Sequence, residues 1–388
     1  MPKLSSRSLG FTESIIRKMT RVANQYQAVN LSQGFPDFDP PKEITEELKR
    51  AADSGPHQYE ITWGSELFRE KLAQKQSKFI GLKIDPATQI VVTCGSTEAM
   101  MAAMMSVCNP GDKVVVFSPF YENYTADAIL SGAQPVYVPL IPPDFHFDRA
   151  ALRKAFEQGV KALVLCNPSN PTGKVFSKEE LEYIAGLAIE FDTFVITDEV
   201  YEHIVYRPNV HTYIASLPGM FERTLSCSSL SKTYSITGWR LGYIIGPENV
   251  ISACRKVHDF LTVGAAAPLQ RAAVPGLEFG PEYYEWLQNL YEQKRTLFLD
   301  GLDKIGLNYY KPQGAYYVLV DIGRFGAPDD NQFCEWLAKE IGVAAVPGSS
   351  FFSEPVSNYI RFHFAKKDET LREAIRRLEK LKTVGYPG

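Results

Sequence analysis

No segment of this 388-residue chain is apolar for long enough to cross a bilayer; runs such as 99–105 are far too short. The first 21 residues hold nothing that could serve as a secretory h-region, and Glu13 argues against a transit peptide. Basic residues are not in excess: 41 Lys and Arg stand against 45 Asp and Glu, for a net charge of −4. With a pI near 6.0, that balance offers no surface for nucleic acid or anionic membrane. The six cysteines show no CxxC spacing and lie mostly in or beside apolar runs. They read as reduced core residues of a cytoplasmic protein, and no His/Cys cluster points to a metal. Neither GxGxxG nor a P-loop is present, which disfavours a dinucleotide or nucleoside triphosphate. Internal repeats and low-complexity tracts are absent too.

What the chain does have is 45% hydrophobic residues, enough at this length for a large core and for two domains. An amphipathic segment over 13–26 reads as an N-terminal arm helix, and one glycine with three prolines breaks any regular pattern over 31–41. A helix over 42–52 follows; Ser65 can cap the next, over 66–79, which Gly81 ends. From there short apolar runs at 90–93, 113–117, 135–139, 162–166, 194–197, 224–227 and 242–245 read as strands. Helical periods over 96–107, 124–131, 148–158 and 178–190 fall between them. Strands that alternate with helices imply crossover connections, hence a three-layer α/β fold (αβα) with a mostly parallel central sheet. Beyond Pro281 the character changes to a helix over 283–305, a strand over 314–321, a helix over 331–341, a strand over 359–364 and a final helix over 369–383. The expected organisation is an N-terminal arm and closing loop over 1–41, a large domain over 42–281 and a smaller α+β domain over 282–388.

Ligands of an open parallel sheet sit beyond the carboxyl ends of its strands. Here those ends carry Gly95-Ser96-Thr97, Pro119-Phe120-Tyr121, Asn167 to Asn170, Asp198-Glu199-Val200-Tyr201 and Ser229 to Lys232. Gly95-Ser96-Thr97 opens a helix, where free amide N–H groups and the helix dipole favour an anion such as phosphate, or it is an ordinary capped start. Asp198 closes an apolar strand, where a bare carboxylate is costly. It is either a cap or core ion pair, or the partner of a protonated ring nitrogen. Tyr121 and Tyr201 read equally as packing or as site residues.

Together Asn170-Pro171-Thr172-Gly173, Asp198-Glu199-Val200-Tyr201, Ser229-Leu230-Ser231-Lys232 and Gly238-Trp239-Arg240-Leu241-Gly242 resemble the signature of the pyridoxal-phosphate-dependent class I/II aminotransferases. Order and spacing agree from Gly34 through Arg361, and the opening Asn30-Leu31-Ser32-Gln33-Gly34-Phe35-Pro36-Asp37-Phe38 is similar to the kynurenine, glutamine and methionine aminotransferase branch. The resemblance implies the aminotransferase fold type I and pyridoxal 5'-phosphate as cofactor. By it Lys232 makes the Schiff base and carries the proton from the substrate Cα, and Asp198 keeps the ring nitrogen protonated. Asn170 and Tyr201 bond the ring hydroxyl oxygen, and Tyr121 stacks on the ring. Ser96, Thr97, Ser229 and Arg240 hold the phosphate, joined by Tyr59 from a partner subunit, so a homodimer is implied. Arg361 clamps the substrate α-carboxylate, with Gly34 offering backbone from a loop that closes over it.

The implied activity passes an α-amino group from glutamine, methionine, an aromatic amino acid or kynurenine to a 2-oxo acid by a ping-pong cycle. Phe35, Tyr121 and Trp63 suit a large apolar side chain, though Trp63 reads equally as packing. Alternatives on the same scaffold are a C–S β-lyase acting on cysteine conjugates, or an aspartate or N-succinyldiaminopimelate aminotransferase. A non-catalytic sensing module is disfavoured by the lack of room for a DNA-binding domain and by Lys232.

Overall fold

The computed structural model describes residues 2–387. Its centre is an eight-stranded sheet built from β2 (Ile90–Thr93), β3 (Lys113–Ser118), β4 (Gln134–Ile141), β5 (His146–Phe147), β6 (Val160–Cys166), β7 (Phe194–Asp198), β8 (Thr224–Ser229) and β9 (Gly242–Ile245). The order across the sheet is β2-β9-β8-β7-β6-β3-β4-β5. Strands β4, β3, β6, β7 and β8 run parallel, whereas β9 is antiparallel to both β8 and β2. Strands β3, β6 and β7 are largely apolar because both faces are covered. Residues such as Val114, Ala162 and Ile196 pack on one side with helix Ser96–Val107, and Val115, Leu163 and Val195 pack on the other with helix Lys178–Glu190.

A four-stranded antiparallel sheet lies in the C-terminal part of the chain, with β10 (Asn308–Tyr310), β11 (Tyr317–Asp321), β13 (Val346–Pro347) and β14 (Tyr359–His363) in the order β10-β11-β14-β13. The core around it recruits Met19 and Leu31 from the N-terminal segment and Val200, Tyr201, Ile204 and Tyr206 from the turn after β7. The N-terminal segment is tied there by a parallel pair, β1 (Val29–Asn30) with β12 (Val343–Ala344). Asp37 supplies the missing cap of helix Asp368–Leu378: its carboxylate accepts from the Lys367 N–H and from the Thr370 hydroxyl at 2.8 Å. These bonds fix the loop that carries Gly34 and Phe35.

Several boundaries follow local chemistry. Ser65 accepts from the Phe68 N–H, and Gly81 ends that helix at φ 78°. Two helices, Glu248–Thr262 and Ala267–Leu277, have no counterpart in the sequence reading. The second contains Pro268 in its first turn and Pro275 inside it, and such prolines read as breakers unless packing overrides them. The helix expected over 331–341 is regular only to Trp336 and finishes in a π turn, Leu337–Ile341. Among the described residues no helix is long and apolar enough to cross a membrane.

Candidate active site

The carboxyl ends of the parallel strands open into a cavity of about 1310 Å³. At one end lies the start of helix Ser96–Val107. Gly95 precedes it at φ 83° and gives no side-chain cap, so the first-turn amides are left without a capping side chain. A Cβ at Gly95 would come within 2.6 Å of Arg240 Cζ, so glycine there serves both the backbone angle and the approach of the guanidinium. Arg240 itself takes a left-handed conformation (φ 55°), donates to the Thr237 carbonyl at 3.0 Å and reaches Thr97 Oγ1 at 3.5 Å. Ser229 Oγ accepts from the Ser231 N–H at 3.4 Å, while Ser231 Oγ is buried with no partner and faces the same cavity. Helix amides, hydroxyls and a guanidinium with no carboxylate in ion-pairing reach among the described residues form an anion site.

Lys232 lines the middle of the cavity, where its Nζ donates to the Gly34 carbonyl at 3.3 Å. Burial pushes its pKa down to about 8; Arg240 and Arg361 add to that and Asp198 opposes it. Asp198, at the end of β7, is buried and accepts from the Tyr124 hydroxyl at 2.7 Å and the Val200 N–H at 3.4 Å. Burial raises its pKa, and those hydrogen bonds with the charge of Lys232 hold it back. Asp127, one helical turn beyond Tyr124, also lines the cavity with an unpartnered buried oxygen; burial and Asp198 push it up to about 8.

At the far end Arg361 projects from β14 with no solvent exposure. Its guanidinium is stacked between Tyr317 and Phe351, 4.3 and 4.6 Å from the ring centres. Nη1 donates to Asn170 Oδ1 and Nη2 to the Ser32 carbonyl, both at 2.8 Å, and Nε has no partner. Among the described residues no carboxylate lies in ion-pairing reach of this buried cation, which therefore needs an anion from outside. The Gly34 carbonyl accepts from the Tyr316 hydroxyl at 2.9 Å, and Gly34, Tyr121 and Tyr201 line the same cavity.

Every sequence-predicted site residue but one thus faces this cavity. Tyr59 lies elsewhere, 89% exposed in a separate groove beside His57 and 263–268. Trp63 packs under Arg255 at 4.9 Å and does not line the cavity.

Residues 26–378 match the family described as aminotransferase class I and II. The chain belongs to that family. Over 382 residues it is 37% identical to the methionine aminotransferase of Escherichia coli (strain K12), covering 98% of each chain. It is 34% identical to kynurenine–oxoglutarate transaminase 1 of Rattus norvegicus, again over 98% of each. The solved N-succinyldiaminopimelate aminotransferase of Mycobacterium tuberculosis superposes with a TM-score of 0.94 at 36% identity, over 98% of this chain and 100% of that one. The protein is an aminotransferase.

Several residues of this aminotransferase site escaped the sequence reading. Ser231, Tyr124, Asp127 and Tyr317 reach it from positions without a motif of their own, although Ser231 lies inside the lysine stretch. Glu98 and His258 are a further case. Glu98 accepts from His258 Nδ1 at 2.6 Å and from the Cys94 N–H, and His258 Nε2 meets the Thr62 carbonyl at 2.7 Å. The pair ties the anion-binding helix start to the loop that carries Tyr59. Burial works against both charges, yet their mutual bond leaves Glu98 below and His258 above their ordinary pKa values.

Proposed function

We propose that this chain transfers the α-amino group of an amino acid to a 2-oxo acid with pyridoxal 5'-phosphate as its cofactor. The observation that carries this reading is the cavity that Lys232 shares with two cations, Arg240 and Arg361, whose charges both disfavour its ammonium form. Such a site takes a phosphate at one end and a carboxylate at the other. The residues present fit the cofactor. Ser96, Thr97, Ser229 and Arg240, with the unpartnered Ser231 hydroxyl, would hold its phosphate. Asp198 would hold a proton on its ring nitrogen, Asn170 and Tyr201 would bond its ring hydroxyl oxygen, and Tyr121 would cover the ring face. When bound, the cofactor supplies an aldehyde for the amine and an electron sink for the pair left on Cα.

The chain's own residues supply the rest. Arg361 grips the α-carboxylate through its remaining N–H groups, and because Asn170 and Ser32 hold the fork and two aromatic rings cover its faces, only its edge is open. With its carboxylate held there, the substrate's Cα lies in the cavity that Lys232 lines. Lys232, its pKa brought down by burial to about 8, reaches its neutral form far more readily than an ordinary lysine and can take the Cα proton and return it. The 31–41 loop excludes water above Gly34. A homodimer completes the reading: Tyr59, exposed in a groove with Val263, would reach a partner subunit's phosphate. The favoured donors are glutamine, methionine, aromatic amino acids and kynurenine, with location in the cytoplasm.

The test is optical and kinetic. The purified protein loaded with pyridoxal phosphate should absorb near the visible edge, transaminate methionine with a 2-oxo acid and sediment as a dimer. A protein that takes up no cofactor would refute the reading. Release of pyruvate and thiol from a cysteine conjugate without any amino acceptor would move it to the β-lyase alternative.

A further inference from the structure

Tyr317 touches three parts of the cavity at once, yet no motif marks it and the reading above gives it no role. Its hydroxyl lies 2.9 Å from that of Tyr201, with the two rings edge to face at 5.7 Å. Its ring lies under the Arg361 guanidinium at 4.3 Å. The Gly34 backbone is seated directly on it: a Cβ at Gly34 would fall 2.8 Å from the Tyr317 Cζ. Tyr201, Tyr317 and Arg361 are all buried.

Two phenols facing one another hold one proton each, and only one can donate to the other. The surroundings decide which. Burial raises the pKa of both, and for Tyr201 the neighbouring Tyr317 and Tyr316 push further, so it lies well above its ordinary value. For Tyr317 the positive charge of Arg361 pulls back against burial, which makes it the more acidic of the pair and the better donor. The Tyr201 oxygen then accepts, and its own proton is left for the cavity.

We propose that Tyr317 is a positioning residue for Tyr201: it donates to the Tyr201 oxygen and thereby turns the Tyr201 proton toward an acceptor in the cavity. Under the function proposed above, on which this inference rests, that acceptor is the cofactor's ring hydroxyl oxygen. A donor that itself receives a hydrogen bond is polarised and donates more strongly. Tyr317 would therefore strengthen the bond that keeps the ring oxygen in its deprotonated form, without touching the cofactor.

The experiment is a spectrophotometric pH titration of the enzyme loaded with pyridoxal phosphate, comparing wild type, Tyr317→Phe, Tyr201→Phe and the double variant. Phenylalanine keeps the ring under Arg361 and removes only the hydroxyl. The midpoint of the pH-dependent visible band should rise in Tyr317→Phe by about half a unit to one unit, the size of one hydrogen bond. It should rise in Tyr201→Phe, and the double variant should match Tyr201→Phe, because Tyr317 acts only through Tyr201. A Tyr317→Phe midpoint equal to that of wild type, or a double variant whose shift is the sum of the singles, would overturn the proposal. A lower melting temperature with an unmoved midpoint would assign Tyr317 to packing alone. Absence of any visible band in the wild type would instead strike at the proposed function itself.

Discussion

Arg361→Met separates binding from folding at the carboxylate end of the cavity. Methionine has similar length and is apolar, so it fills the slot between Tyr317 and Phe351 without the charge. Breaking a buried ion pair costs about 3–5 kcal/mol because a partner charge is stranded. Among the described residues the guanidinium has no partner charge: it donates to the neutral oxygens of Asn170 and Ser32. Each orphaned acceptor costs about 1–3 kcal/mol. Against that, the variant escapes the several kcal/mol needed to hold an unpaired cation out of water. These terms nearly offset, and the melting temperature of the cofactor-free protein should stay within about 4 °C of wild type. Activity should behave otherwise. Two charge-assisted hydrogen bonds to the substrate carboxylate contribute about 3–6 kcal/mol, so kcat/KM for methionine should fall roughly 10²- to 10⁴-fold. The control is 3-(methylthio)propylamine, the same amine without its carboxylate: wild type should discriminate strongly between the two, and the variant should barely do so. A variant that keeps methionine turnover within about tenfold, or loses both amines equally, would refute the role assigned to Arg361.

Three other outcomes follow from the same geometry. Lys232→Met should abolish visible absorbance with pyridoxal phosphate and stabilise the cofactor-free protein below about pH 8; that gain should shrink as pH rises from 8 through the ordinary lysine value of 10.5, above which the wild-type side chain is neutral in both states. Gly95→Ala, which must hold a positive φ and displace Arg240, should weaken pyridoxal phosphate binding about 10- to 100-fold in an absorbance titration. His258→Ala strands Glu98 and should cost about 3–5 kcal/mol in urea unfolding at pH 6. Because the His258 pKa is raised, its stabilisation is complete below the ordinary value of 6.5 and is lost as pH climbs through the raised one, so the deficit should narrow in alkaline buffer.

Where a residue's role depends on its neighbours along the chain, it was legible in the sequence. Strand β2, helix Ser96–Val107 and strand β9 fall where apolar runs and turn residues put them, and Lys232, Asp198 and Asn170 sit at strand ends where a parallel sheet presents ligand groups. Helix Ala267–Leu277 was illegible because tertiary packing outweighs the local cost of Pro275. Tyr317 was missed for a different reason: on an apolar strand of the second sheet a tyrosine looks like core, and only the approach of Tyr201, 116 positions away, gives its hydroxyl a partner. His258 was hidden likewise, since its value lies in Glu98, 160 positions earlier.

The Ser32–Arg361 bond joins residues 329 positions apart, and the β1–β12 ladder closes beside it. A ribosome making this chain releases Ser32 and Gly34 long before it has synthesised Arg361. Nascent chain that already contains the lysine, the anion-binding helix start and Asp198 therefore still lacks the carboxylate anchor and has nothing to hold its first strand. Contacts of such sequence separation form late. Under the proposed function, catalytic competence is thus the last thing this polypeptide acquires: a chain cut short before β14 would carry the residues proposed for the cofactor's phosphate but not the arginine proposed to grip the amino acid.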